Sequence, residues 1–270
     1  MGNHTTALYW EYDTRLGRRW NVDPVVKENE SPYLTLSGNP IGYLDFLGDD
    51  PSTHTDEDGN VIAVYDDGDN GVYKHSNGTS KEDLDRSHGS LTLQNPTSAG
   101  GTKIGETEYW DEFQNPETMT PEGTILFGKR ESWDPLIKWA NDHANDQDLS
   151  ITMKESKHNQ VLDIKTGKWA EYGVMTGRLM NGKYATARSA GNYLAGMNGI
   201  TGTFQGYHIS GETYMKIAGA YQVGEMSAFN VMRIITLGTA FGPPPYYGEE
   251  PYSGRRIIEG INAGLKLMNK

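Results

Sequence analysis

Two groups of polar residues have types and spacing that could support chemistry on a negatively charged substrate. In the first group, Arg188 and Asn192 are four residues apart and share a face if a helix starts near residue 184. Lys183 and Tyr184 come one turn earlier, and Tyr193 follows Asn192 directly. A cation and an amide on one face can hold a phosphate and stabilise developing negative charge. The pattern therefore predicts a substrate site, with a structural polar pair between helices as the alternative.

The second group lies in a loop and at the start of the last predicted helix, and it contains Glu249, Arg255 and Arg256. A carboxylate can transfer protons, and guanidinium groups can stabilise an oxyanion. A solvated loop with a surface salt bridge is the alternative interpretation. If the two groups meet, we expect these catalytic residues: Arg188, Asn192, Tyr193 and Glu249. The remaining members are expected to bind substrate: Lys183, Tyr184, Arg255 and Arg256.

The histidines do not single out a general base. His208 and His158 lie outside any block with a recognisable pattern, and we expect His54, His75 and His88 to be surface residues of a polar stretch. The sequence has no HExxH, phosphate-binding loop, GxSxG or EF-hand pattern. It therefore predicts neither a metal site nor a cofactor.

Composition narrows the possible chemistry further. The chain has 270 residues, no cysteine and a net charge of −12, which excludes disulfides and a catalytic thiol. Residues 51–150 carry 20 acidic and 7 basic side chains, whereas residues 151–270 carry 8 acidic and 13 basic ones. The later part therefore tolerates or attracts phosphate, unless the two parts neutralise each other at an internal interface. No apolar run is long enough to span a membrane, and the start lacks the pattern of a secretory signal peptide.

Hydrophobic periodicity predicts an α+β protein with three parts. Residues 1–50 are a small segment rich in strands and turns, and residues 51–101 are an acidic polar linker with a possible hairpin between segments 61–65 and 71–73. Residues 102–270 form a mainly α-helical domain. Within it, the stretch 226–242 is apolar on most sides, so we expect it to be the buried helix. Glycines at helical positions near residues 191–199 and 260–264 predict close approach between helices.

The first part resembles the closing segment of the Rhs/YD-repeat core. The matching residues lie within 9–48 and are Tyr12-Asp13, Arg15, Gly17-Arg18, Asp23-Pro24, Pro32-Tyr33, Asn39-Pro40-Ile41 and Asp45-Phe46-Leu47-Gly48. The resemblance implies a parent protein with a β-shell of repeats, closed by this segment and followed by a variable toxin. It also implies that Asp23 and Asp45 are the remnant of a self-cleavage pair of carboxylates. Phe46 stands where the family usually has proline, and both aspartates could instead be turn residues.

The later part resembles polymorphic toxin domains of the type 44 group. The similarity is carried by the blocks 172–196, 213–220 and 246–264. It implies a toxin used in competition between bacteria and delivered into target cells by a specialised secretion system. It further implies a nuclease that acts on nucleic acid, and a cognate immunity protein. The residue types of the two polar groups could form a metal-independent nuclease. The alternatives are a toxin that acts on cell wall or carbohydrate, and an inactive Rhs tip or interaction module.

Overall fold

The computed structural model describes residues 52–128 and 130–269, together with the backbone of three short strands near the start. These strands are β1 (His4–Thr6), β2 (Glu11–Asp13) and β3 (Arg18–Arg19), and they form an antiparallel sheet in the order β1-β2-β3. Asp23 and Asp45 lie outside the described residues. The chain divides into two compact units, Met1–Phe127 and Gly128–Lys270. We call them the N-terminal unit and the C-terminal unit.

Within residues 52–127, the N-terminal unit contains a four-stranded sheet and a short α-helix. Its elements are β4 (Ser52–Thr55), β5 (Val61–Tyr65), β6 (Gly71–Lys74), α1 (Lys81–Ser87), β7 (Thr102–Glu106) and the short strand β8 (Thr124–Ile125). The four strands are ordered β5-β4-β6-β7, with β4 antiparallel to β5 and parallel to β6. Strand β7 completes the sheet by pairing antiparallel with β6.

This architecture corrects the prediction of a linker over residues 51–101. The segment is folded, and the sheet continues through β7, past the expected boundary between residues 101 and 102. The predicted hairpin is also wrong, because β4 lies between β5 and β6. Polar residues stabilise local structure here: the Ser80 and Asp83 side chains form a capping box at the start of α1. A composition typical of disorder was therefore misleading, since many of its polar groups cap or close turns.

A buried chain of polar side chains also corrects the expectation that three histidines lie on the surface. His54 is fully buried, and its ring stacks on the ring of Tyr73 with 5.4 Å between the two centroids. The Ser52 hydroxyl donates to Asp67 Oδ2 over 2.6 Å and lies 2.9 Å from His54 Nε2. The hydrogen-bonded chain continues at both ends: His54 Nδ1 lies 2.9 Å from His75 Nε2, and His88 Nε2 lies 2.6 Å from Asp67 Oδ2. Hydrogen bonding between the members is what allows such polar groups to be buried.

The C-terminal unit is mainly helical and adds one β-hairpin. Its elements are α2 (Asp134–Ala144), α3 (Leu149–Glu155), β9 (Thr176–Met180), β10 (Lys183–Thr186), α4 (Ala187–Thr201), α5 (Gly211–Gln222), α6 (Ala228–Leu237) and α7 (Pro251–Met268). Strands β9 and β10 pair antiparallel, and β10 leads directly into α4. The two units together confirm the predicted α+β class.

Helix α4 is the buried helix of this unit. This corrects the expectation that the apolar stretch 226–242 would form the buried helix. Helix α6 lies in that stretch but leaves Phe229 and Leu237 more than 70% exposed. Helix α4 instead packs against α7 at backbone distance, as the glycines predicted. A Cβ atom on Gly196 would lie 2.0 Å from the Ile257 carbonyl oxygen, and one on Gly260 would lie 1.9 Å from that of Tyr193. Small residues thus decide which helix is central, because they permit the closest packing.

Candidate functional site

Helix α4 provides the platform for the candidate site. The Thr186 side chain caps its start by accepting a hydrogen bond from the Ser189 backbone amide over 3.2 Å. Arg188 and Asn192 then follow at the predicted helical spacing of four residues. The cap fixes where the helix begins, and therefore fixes the direction in which both side chains leave it.

A lysine that the sequence analysis missed reaches this platform. Lys165 Nζ donates to Asn192 Oδ1 over 2.9 Å, across a separation of 27 residues. Lys165 lies in the loop between α3 and β9. It follows Leu162 and Ile164, which are both nearly fully buried, and it precedes polar residues. Asp163 Oδ1 accepts a hydrogen bond from the Lys165 backbone amide over 3.2 Å. The loop is therefore anchored by apolar and polar contacts immediately before the lysine.

Gly191 leaves the space that the Lys165 side chain occupies. A Cβ atom on Gly191 would lie 2.4 Å from Lys165 Cε and 2.7 Å from Lys165 Cγ. Such distances are far inside van der Waals contact, so any larger residue would displace the lysine stem. The glycine in α4 is thus explained by the contact it permits with Lys165.

The Asn192 side chain is buried and only half satisfied. The residue is 7% exposed. Its Oδ1 accepts from Lys165, whereas its Nδ2 has no hydrogen-bond acceptor within the described part of the chain. A buried amide N–H without a partner costs about 1–3 kcal/mol, so such a group calls for a reason.

Glu249 brings a carboxylate under the electrostatic influence of the same lysine. It lies at the end of the loop between α6 and α7, two residues before α7. Burial raises the pKa of Glu249 to about 6, the negative charge of Glu250 adds to the increase, and the positive charge of Lys165 opposes it. A carboxyl group with this pKa can both accept and release protons near neutral pH.

The ammonium of Lys165 experiences the complementary effects. Burial lowers the pKa of Lys165, and the positive charge of Arg188 adds to this decrease. The negative charges of Glu249 and Asp163 act in the opposite direction. A lysine and a glutamate whose pKa values are shifted toward each other form a group suited to acid–base chemistry. We call Lys165, Arg188, Asn192 and Glu249 the polar cluster.

Arg188 is held by an aromatic ring of α7. Its guanidinium carbon lies 3.8 Å from the centroid of the Tyr252 ring, a cation–π contact. The Tyr252 hydroxyl is in turn hydrogen-bonded to Ser189 Oγ over 2.7 Å and to Thr186 Oγ1 over 3.1 Å. The cap of α4 and the first turn of α7 therefore jointly fix the position of Arg188.

The other predicted residues are not members of the polar cluster. Arg256 is 2% exposed, donates to Ser189 Oγ, and pairs with Glu259 over 2.8 Å. These contacts favour a structural role for Arg256 between α4 and α7, and its role in substrate binding stays a prediction. Arg255 is the preceding residue of α7 and is partly exposed.

Two predicted tyrosines are buried. Tyr193 is part of the core cluster around Trp133, and Tyr184 on β10 is 4% exposed. Lys183 opens β10 opposite Met180. Burial raises the pKa of both tyrosines, which leaves their hydroxyls poorly suited to lose a proton. Their roles at a substrate site remain predictions, and the positions of both side chains favour packing.

The structure adds two observations on ligands and membranes. Within residues 52–128 and 130–269, no group of three or more His, Asp or Glu side chains is arranged to hold a metal ion. No helix in the described part of the chain is both long and apolar enough to cross a membrane. Comparison with known proteins finds no protein-family model, no curated protein and no solved structure that matches this chain.

Proposed function

We propose that the chain is the end of an Rhs-type delivery protein whose C-terminal unit is a toxin that cleaves nucleic acid in a target bacterium. The observation that carries this proposal is the polar cluster, in which Lys165 donates to the buried Asn192 and interacts electrostatically with Glu249, whose pKa burial raises to about 6. The basic charge of residues 151–270 further supports a polyanionic substrate. A cognate immunity protein that covers the polar cluster in the producing cell is part of the proposal.

In this proposal Glu249 is the general base of phosphodiester cleavage. Its carboxylate accepts the proton of the attacking hydroxyl while the new oxygen–phosphorus bond forms. The bond between phosphorus and the leaving oxygen breaks, and that oxygen takes up a proton from solvent. Glu249 then returns its proton to solvent. Arg188, oriented by Tyr252, contacts the phosphate and offsets the charge that develops on it.

The test is inducible expression of the full chain in bacterial cytoplasm, beside a Glu249→Gln variant. Growth and the integrity of total RNA and DNA are followed, and the purified proteins are assayed on defined RNA and DNA with and without a chelator. Glu171→Gln is the matched control, since it makes the same change at an exposed glutamate of the same unit. We expect growth arrest and nucleic-acid breakdown with the wild type and the control, and neither with Glu249→Gln.

Two results would contradict the proposal. If the folded wild-type chain leaves growth and nucleic acids intact, a cytoplasmic nuclease is excluded, and export to the periplasm would test for action on the cell wall. If breakdown continues in Glu249→Gln, the nuclease assignment survives but the role of Glu249 is wrong. The full chain is needed for these assays because a fragment from residue 102 would separate β7 from its sheet.

A further inference from the structure

The Lys165–Asn192 pair has more hydrogen-bond donors than acceptors. The ammonium group has three N–H donors, and within the described residues it is given one acceptor, Asn192 Oδ1. The Asn192 amide adds two further N–H donors on Nδ2, a buried atom without an acceptor among the described residues. Asn192 Oδ1 and Nδ2 belong to one planar carboxamide, so the unused N–H groups on Nδ2 lie close to the Lys165 ammonium. The surplus donors therefore belong to one hydrogen-bonded pair of side chains.

The orientation of the Asn192 amide follows from the chemistry of its neighbour. Lysine donates hydrogen bonds and cannot accept them, so the amide oxygen must face Lys165 Nζ. The amide nitrogen is then turned away from the lysine, where it needs an acceptor that the described residues do not provide. Turning the amide over would place two donors against each other and would leave both unsatisfied.

We propose that Lys165 and Asn192 form an oxyanion-binding site that holds a tetrahedral, phosphate-type anion beside Glu249. The inference rests on the proposed function and deepens it, since the anion would be a phosphate of the nucleic-acid backbone. Lys165 supplies charge and hydrogen bonds, and Asn192 Nδ2 supplies a neutral, fixed donor. Lys165 is thereby a catalytic residue that touches the substrate, whereas Gly191 is a positioning residue that makes room for its stem.

The charges around the site fit this assignment. Arg188 contributes a second cation near Lys165, while Glu249 and Asp163 contribute negative charge. Asp163 is occupied by hydrogen bonds from the backbone amides of Asn159 and Lys165 and from the Thr166 hydroxyl. Glu249 accepts a hydrogen bond from the Glu250 backbone amide over 3.2 Å, and burial raises its pKa to about 6. Protonation of Glu249 removes a repulsive charge, so the site binds an anion more tightly as the pH falls through 6.

The test uses inorganic sulfate, a tetrahedral dianion whose charge stays constant over this pH range. Sodium sulfate is titrated into the full chain at constant ionic strength, and binding is followed by NMR through the side-chain amide signal of Asn192. We expect saturable binding that Lys165→Met weakens about tenfold or more, the loss typical of a hydrogen bond to a charged group. Lys168→Met is the matched control, because it removes an equal charge from an exposed lysine of the same loop. It should leave the affinity unchanged.

A second pair of variants leaves all charges in place and covers the case in which Lys165→Met does not fold. Gly191→Ala places a methyl group where the Lys165 stem lies, so it should weaken sulfate binding. The matched Gly167→Ala should not, since its Cβ would have only one neighbour within 4 Å, at 3.9 Å. Absence of saturable sulfate binding to the wild type, or equal binding to wild type and Gly191→Ala, would overturn the inference.

The sulfate and cleavage measurements separate this inference from the proposed function. Sulfate binding that depends on Lys165, without cleavage of RNA or DNA, supports the oxyanion site and rejects the nuclease. Cleavage that Lys165→Met leaves unchanged, together with unchanged sulfate binding, supports the nuclease and rejects the oxyanion site.

Discussion

Acidification is expected to destabilise the N-terminal unit through His54. The Ser52 hydroxyl uses its one proton on Asp67, so His54 Nε2 must be the donor in its contact with Ser52. In the neutral ring Nδ1 is then an acceptor, and it accepts a hydrogen bond that His75 Nε2–H donates. A proton added to His54 would occupy Nδ1 and break this hydrogen bond. The folded arrangement therefore favours the neutral form of His54.

The size of the effect follows from the pKa of His54. Burial lowers this pKa from 6.5 to about 3, and the charges of His75 and His88 add to the decrease while Asp69 opposes it. The unfolded chain therefore binds a proton near pH 6.5 that the folded chain binds only near pH 3. The stabilisation is complete above pH 6.5 and is lost as the pH falls toward 3. Between pH 7 and pH 5 the loss is about 2 kcal/mol.

Native-state hydrogen exchange of the β4 amides measures this loss in the N-terminal unit itself, once each rate is compared with the intrinsic rate at that pH. His54→Gln should lower stability at pH 7 but flatten its dependence on pH, because glutamine does not titrate. His158→Gln is the control, since that side chain is 75% exposed and lies in the C-terminal unit. Equal opening free energies of β4 at pH 5 and pH 7, or an unchanged slope in His54→Gln, would refute the reasoning.

Three further predictions concern the C-terminal unit. Cleavage of nucleic acid by the wild type should fall about tenfold per pH unit below pH 6, where Glu249 becomes protonated; a profile without that limb contradicts its role as base. Gly260→Ala should lower the free energy of unfolding by at least about 1–3 kcal/mol, measured in urea, because its Cβ would overlap the Tyr193 carbonyl oxygen. Gly167→Ala, with open space around it, should not. Asn141→Leu should cost about 1–3 kcal/mol in the same assay, since two buried hydrogen bonds of its amide are lost; equal stability would show that the site repacks.

The sequence could predict only the part of the site that lies in regular secondary structure. Arg188 and Asn192 were identifiable because helical spacing places residues four apart on one face, and the structure gives α4 over both. The same reasoning could not reveal Lys165, which lies in an irregular loop 27 residues before Asn192. It also misjudged His54, because polar composition suggests exposure unless the partners that satisfy a buried histidine are known.

Three glycines of α4 explain which neighbouring groups can pack closely against this helix. Each costs about 1 kcal/mol relative to alanine in a helix, so each should have a reason. Gly191 admits the Lys165 stem, Gly196 admits the backbone of α7, and Gly199 admits the Tyr214 ring, which would lie 2.3 Å from an added Cβ. Burial raises the pKa of Tyr214, and the negative charge of Glu249 adds to the increase, so this tyrosine lies within electrostatic reach of Glu249. The three glycines therefore bring a loop, a helix and a ring onto one helix, and the contact at Gly191 is the one that positions a member of the polar cluster, Lys165.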